Sequence, residues 1–268
     1  SDPSGLTVYY LYDGFNRLVQ IKDRDFNILT EYDYQMANGS SNDNFVETLI
    51  APVPISSSIK NSSFYSSHPD SVKSTRAYFD GLGRSLQNIS RFASLSQLGK
   101  KDIVSFSSFD KFGRSDKAYL PYAADNSDGL LKDDLITNQS AFYTSFRNAD
   151  DSPYAYSESI YEQSPSSRVL ELAAPGITWQ KSGNHTVEVI QRPNNLKEIK
   201  NLRINSLGNI ILGSDYEPGL IWVKITKDEN NGDNEGEVYE YLDKLGNLLL
   251  KKVKIGASTY ASTYYVYD

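Results

Sequence analysis

The sequence contains no cysteine and only two histidines, His68 and His185. The first absence excludes disulfides, thiolate nucleophiles and cysteine-ligated zinc. The second leaves little material for a histidine-based catalytic dyad. His68 sits in "SSHPDS", a loop context, and His185 in "GNHTVEV", at an expected strand start. Neither is accompanied by a nucleophile elbow of the G-x-S-x-G type, so both read as surface or turn residues. Glycine-rich phosphate loops and His/Asp metal spacings are missing too. The neighbouring carboxylates Asp133/Asp134 and Asp150/Asp151 are adjacent in sequence, which does not set them across a substrate. The expectation is therefore a protein without catalytic, cofactor-binding or metal-ligating residues. No lysine/arginine cluster marks a nucleic-acid footprint, and a net charge of −7 repels phosphate backbones. No segment approaches the ~20 apolar residues of a membrane span. The opening "SDPSGLTVYY" has neither the basic nor the apolar region of a signal peptide.

What is present is tyrosine, 20 copies against 11 phenylalanines and 2 tryptophans, in a chain of 268 residues. Tyrosine favours strands and half-wet surfaces, because its ring is apolar and its hydroxyl stays hydrated. The length allows one large β-domain or two ordinary ones. A mean hydropathy of −0.49 fits a globular chain.

The chain also repeats itself. "YDGFNRLVQ" begins at Tyr12, "FDGLGRSLQ" at Phe79, "FDKFGRSDK" at Phe109 and "LDKLGNLLL" at Leu242, with a weaker copy, "INSLGNIIL", at Ile204. The aligned positions are Asp13/Phe15/Asn16/Arg17, Asp80/Leu82/Gly83/Arg84, Asp110/Phe112/Gly113/Arg114, Asn205/Leu207/Gly208/Asn209 and Asp243/Leu245/Gly246/Asn247. A type I turn followed by a residue in the left-handed region closes a hairpin with a G1 bulge. Asp or Asn at the first position accepts hydrogen bonds from amides further along, as in an Asx turn. Gly83, Gly113, Gly208 and Gly246 enter the left-handed region without a Cβ penalty, and Asn16 is the next most tolerant residue. The apolar third position is expected to tuck the turn onto a neighbouring layer. The segments that follow, such as "RLVQI" and "NLLLKKVKI", read as returning strands.

Other stretches read differently. Residues 36–75 are rich in Ser, Asn and Pro and are expected as a long loop or linker. Residues 129–147 place Leu131, Leu135, Phe142 and Phe146 on one helical face with Asn138 and Gln139 between, an amphipathic helix capping a sheet. Pro175-Gly176 predicts a type II turn between strands, with Trp179 a partly buried core residue. The acidic stretch 228–237 misplaces the glycine a calcium loop requires and is expected as a solvated hairpin loop. Five N-x-S/T sequons, at Asn38, Asn61, Asn88, Asn138 and Asn184, carry little information where serine is so common.

The motif Y-x-Y-D-x-x-G-R-L followed by a strand resembles the signature of the YD-repeat, or Rhs, proteins. "YYLYDGFNRLVQIKD" at 9–23 departs from it only by Asn16 where glycine is usual. "YFDGLGRSLQ", "GKKDIV", "FDKFGRSDKAYLPY", "SPSSRVLELAAPGITWQ" and "YLDKLGNLLLKK" are similar to the domain preceding the repeats in Rhs-like proteins of the Bacteroidetes. "DPSGL" at 2–6 is similar to the element near the Rhs self-cleavage site, but it precedes the first repeat instead of following the last.

The expected fold is all-β and mainly antiparallel: stacked YD-type hairpins in a curved or spiralling sheet, with one inserted helix near 130–147. The expected divisions are an N-terminal hairpin at 1–35, the linker at 36–75 and a β-domain at 76–268 whose last unit, opening at "TYYVYD", is truncated. The resemblance implies a non-catalytic wall or plug of a secreted or surface shell that encloses or presents a C-terminal toxin or effector. Its partners would then be the remainder of a larger chain and its cargo, outside a bacterial cell. A carbohydrate-binding or adhesion module is the competing expectation, since tyrosine-rich sheets present stacking rings beside hydrogen-bonding groups.

Overall fold

The computed structural model describes residues 7–36, 43–56, 71–94, 99–145, 150–230 and 235–267. The chain forms two compact units, Ser1–Ser108 with Ala118–Ala155, and Phe109–Lys117 with Tyr156–Asp268. Described strand pairings are antiparallel throughout, as expected, and no barrel closes.

In the first unit, seven strands pair in sequence order. They are β1 (Tyr9–Tyr12), β2 (Leu18–Lys22), β3 (Ile28–Gln35), β4 (Asn44–Ile55), β5 (Lys73–Phe79), β6 (Ser85–Ser90) and β7 (Ile103–Phe109). After β8 (Ser115–Tyr119), the short β9 (Tyr122–Ala123) returns to pair with β7. Strand alternation builds the core: Tyr78 faces Gln87 across β5–β6, Ile89 faces Val104 across β6–β7, and Val104 faces Tyr122. Tyr78, Ile89, Val104, Phe106, Tyr122 and Ala124 form one buried cluster. Ile89 and Val104 are fully enclosed, each contributing roughly 1.5–3 kcal/mol.

The span expected as linker contains β4. Residues 44–55 pair with β3 on one side and β5 on the other. Glu47, Leu49 and Ala51 alternate into the interior, a period that the serine- and proline-rich composition obscured. Pro52 and Pro54 lie beyond the last β4–β5 pair, Ile50 with Lys73, and in the irregular stretch between the β3 pairs of Ile50 and Ile55, where strands tolerate proline. Glu47 is buried and fully occupied. It accepts from Ser74 Oγ at 2.6 Å, Arg76 Nη2 at 3.1 Å and Arg91 Nη1 at 3.2 Å.

The inserted helix is α1 (Leu135–Thr144), shorter than the pattern predicted because residues before it are held elsewhere. Gln87 receives the Lys132 amide at 3.1 Å and donates to its carbonyl at 3.0 Å, completing a strand-like pair with a side chain. The Gly129 amide donates to buried Asp102 at 2.7 Å, and its carbonyl accepts from Tyr78 Oη at 2.7 Å and Arg76 Nη1 at 3.0 Å. Leu131, Leu135 and Phe142 pack on the core as expected. Gln139, read as lying between the apolar positions, is instead the buried residue of the helix. Four residues after Leu135 and three before Phe142, it shares their face. Its amide donates to the carbonyls of Ala155 at 2.6 Å and Leu120 at 3.2 Å. Phe146 lies outside the described residues.

The second unit orders β10 (Tyr156–Tyr161), β11 (Val169–Ala173), β12 (Thr186–Pro193), β15 (Trp222–Lys227), β16 (Val238–Leu242), β17 (Leu248–Gly256) and β18 (Thr259–Tyr264). β13 (Lys200–Ile204) and β14 (Ile210–Asp215) stand apart as a two-stranded hairpin. Val223, Tyr241 and Leu250 lie side by side in register at the centre of a core with Ile199, Ile221 and Ile225. The opposite face alternates charge: Lys224 sits opposite Glu240, which sits opposite Lys251. Between β11 and β12 the chain makes two 3₁₀ turns, Ile177–Trp179 and Lys181–Gly183, in place of the type II turn expected. Gly176 has the positive φ of 110° but a ψ of 144°, extended where a type II turn needs ψ near 0°. Trp179 is half-buried, as expected.

Gly129 is a steric as well as a hydrogen-bonding pivot. With φ at 67°, an added Cβ would lie 2.5 Å from Arg91 Nε. Gly129→Ala should cost more than about 2 kcal/mol by urea unfolding. Gly81→Ala, with nothing within 4 Å of the new methyl, should shift stability by less than about 0.5 kcal/mol. Equal effects in the two variants would refute the pivot.

Candidate functional site: the aspartate-clasped turn

The repeated turn is the feature whose chemistry recurs most often. In each of the five expected copies the first residue uses its side chain as a clasp. Asp13 Oδ1 accepts the amides of Phe15 and Arg17, both at 2.9 Å. Asp80 does the same with Leu82 and Arg84, both at 2.9 Å. Asp110 does so with Phe112 at 2.8 Å and Arg114 at 3.0 Å, and Asp243 with Leu245 and Asn247, both at 2.8 Å. Asn205 takes Leu207 at 3.0 Å and Asn209 at 2.9 Å through its amide oxygen. Backbone bonds close each ring, as in Gly83 N to Asp80 O at 3.0 Å and Asp80 N to Arg84 O at 3.0 Å.

The residue in fourth place is left-handed in every copy: Asn16 at 61°, Gly83 and Gly113 at 77°, Gly208 at 79° and Gly246 at 87°. One-residue register shifts accompany it where β1–β2, β5–β6 and β16–β17 meet their turns, the signature of a G1 bulge.

The fifth residue extends the clasp. Arg17, Arg84 and Arg114 each donate Nε to the other carboxylate oxygen at 2.7 Å, while Asn247 donates Nδ2 to Asp243 at 2.9 Å. Arg17 and Arg114 also reach an adjoining strand. The Arg17 guanidinium lies 4.5 Å over the Tyr34 ring. Arg114 lies 4.5 Å over Tyr161 and donates to the carbonyls of Ser164 at 2.8 Å and Glu162 at 3.1 Å.

The apolar third position does not tuck inward. Phe15, Leu82, Leu207 and Leu245 are all at least 80% exposed, and Phe112 is 40% exposed. The third residue spends its amide on the clasp, and that orientation turns its side chain to solvent.

A sixth copy escaped the pattern. Asp23 Oδ1 accepts the amides of Asp25 at 2.9 Å and Asn27 at 2.8 Å, and Asn27 Nδ2 donates back at 3.2 Å. Asp25 replaces the apolar third residue, and Phe26, with φ of 63°, takes the place of glycine. The remaining signal was Asp followed four residues later by Asn, as in Asp243 and Asn247.

Electrostatics follow from the geometry. The Arg17 and Arg84 amides, and then their side chains, hold the Asp13 and Asp80 carboxyls below the ordinary carboxylate range. For Asp110 and Asp23, partial desolvation pushes upward. Bonds from Arg114 in one case and Asn27 in the other outweigh it, so both are lowered. The Asn247 side chain does most to lower Asp243.

Most other candidate chemistry is self-satisfied, although the buried Tyr122 hydroxyl has no hydrogen-bond partner among the described residues. A cleft of about 1210 Å³ in the first unit is lined by Tyr122, Leu131, Asn138 and Phe142, with Lys101, Asp125 and Lys132 at its polar side. Lys101 pairs with Asp125 at 3.3 Å, and Lys132 with Asp128 and with Asp102 at 3.5 Å. His185 meets the Glu229 carbonyl at 3.0 Å and packs on Trp179. The acidic stretch does join β15 to β16 as a hairpin loop, though residues 231–234 lie outside the described residues. So do His68, Asn38, Asn61 and residues 2–6. Among the described residues no three His, Asp or Glu side chains gather as a metal site. No described helix is long and apolar enough to cross a membrane.

The fold and its repeated site define a protein of clasped antiparallel hairpins. Residues 53–192, just over half of the chain, match the family described as domain of unknown function DUF6443, and the chain belongs to that family. No curated protein matches it.

Two outcomes test the clasp. Gly83→Ala has open space around the new methyl, so its cost should be backbone strain alone, about 1–2 kcal/mol, and Gly83→Asn should cost less. A clasped carboxylate whose pKa is lowered by folding stabilises the protein above the unfolded value, near 3.9, and that contribution is lost as pH falls through the folded value. Carbon-13 titration of Asp13, Asp23, Asp80, Asp110 and Asp243 should give midpoints below ~3.9. Midpoints at or above it would contradict the clasp.

Proposed function

We propose that the chain is a non-catalytic structural segment of a YD-repeat, Rhs-type protein. It forms part of the wall or plug of a shell that encloses or presents a C-terminal toxin or effector, secreted or held at a bacterial cell surface. The observation that carries this reading is the clasped turn itself, present in both units with the same backbone bonds at each copy. A hairpin closed so locally is a building unit, and its strands still need neighbours on both sides.

The outermost strand of the second unit supports the same reading. β18, "TYASTY", is exposed along its whole length and carries no charge or proline. Natural sheets blunt free edges with those residues, so an unblunted edge fits a strand that another strand covers.

The test is made on the native protein from its source. Purified without denaturant and then denatured, it should release a chain much larger than 30.1 kDa together with a separate, smaller polypeptide. A lone chain of 30.1 kDa would sink the shell reading.

A further inference from the structure

One clasped turn carries a residue that its geometry disfavours. Phe26 has φ of 63° where the other copies place glycine or asparagine. A bulky side chain in the left-handed region is strained, and the same chain relieves that strain five times with a different residue. Burial does not hold Phe26 there, because it is 60% exposed. One face of its ring lies on Tyr9, with centroids 4.7 Å apart and planes 12° from parallel.

We infer that the Tyr9–Phe26 pair is a saccharide-binding platform. An aromatic face is electron-rich, and the C–H face of a pyranose ring is its flat, weakly positive complement. Tyr9 backs Phe26 and fixes its plane before any ligand arrives, which lowers the ordering cost of binding. Sugar hydroxyls need donors and acceptors at the rim. Arg24 and Asp25 supply both, with side chains 79% and 67% exposed and paired at 3.6 Å. Lys22 stands opposite Tyr9 in the β1–β2 register. The exposed face of one ring is far smaller than the roughly 800 Å² per side of a stable protein interface. The site does not depend on the shell reading, and either can fail without the other.

The competing explanation is that Phe26 is kept for its packing on Tyr9. Phe26→Gly separates the two, because it removes the platform and the backbone strain together. The 268-residue chain would be titrated calorimetrically with hexasaccharides of β-1,3-glucan, cellulose, xylan and chitin, and each variant melted. Expected are binding of at least one of them with Kd of about 10⁻⁴ M or tighter, and a loss of at least tenfold in Phe26→Gly with an unchanged or raised melting temperature. Phe26→Trp should retain binding. The inference is overturned if none of the four binds, if Phe26→Gly binds as well as the parent, or if Phe26→Gly melts lower. Self-association abolished by Phe26→Gly, without saccharide binding, would assign the ring to a protein contact instead.

Discussion

A side-chain oxygen that receives two backbone amides is the constraint on which this structure depends. A tight turn leaves amides that point inward and find no strand partner. Water would have to satisfy them, and the turn would fray. One Asp or Asn in first place takes both, as Asp80 does for Leu82 and Arg84. The left-handed fourth residue then brings the two strands back into register. Everything downstream, from the one-residue bulge to the row of Tyr78 against Gln87, inherits its alignment from that turn. Asn205 shows that the acceptor matters more than the charge, because it makes the same two bonds without a carboxylate.

The interior of the first unit is specified by hydrogen bonding as much as by apolar contact. Glu47, Gln87, Asp102 and Gln139 are all buried, and each meets named partners. A buried polar group without partners costs roughly 1–3 kcal/mol, so such a network tolerates little slippage. Gln87 and Gly129 tie an irregular loop to the sheet through backbone groups that a strand would otherwise satisfy. That loop delivers α1 to its place, and Gln139 then fastens the helix to Leu120 and Ala155.

Much of the architecture was legible in the sequence because the turn signature is mechanical. Four positions with distinct duties leave a readable trace, and five copies were found from it. The sixth was hidden because Asp25 and Phe26 changed two of those four positions while Asp23 and Asn27 kept the bonds. β4 was hidden by composition, since serine, asparagine and proline on its flanks masked the alternation of Glu47, Leu49 and Ala51. Gln139 was hidden by chemistry: helical spacing put it on the buried face, and its polarity argued it off. The turn-tip residues failed for a different reason. An apolar residue such as Leu82 was assumed to seek cover, but its backbone commitments aim the side chain outward.

The clasp also bears on how the chain acquires its fold. Each ring of bonds closes within five residues, as from Asp110 to Arg114, so it forms without waiting for distant sequence. Sheets are ordinarily slow to fold because their pairings are remote along the chain, and loop closure must be met before contacts reward it. Here the pairings run mostly between consecutive strands, and hairpins form in about 1–10 μs. A polypeptide emerging slowly from its N-terminus can therefore set each hairpin as it appears and lay it against the one before. Order of synthesis becomes order of assembly, and little unpaired edge is exposed at any one time.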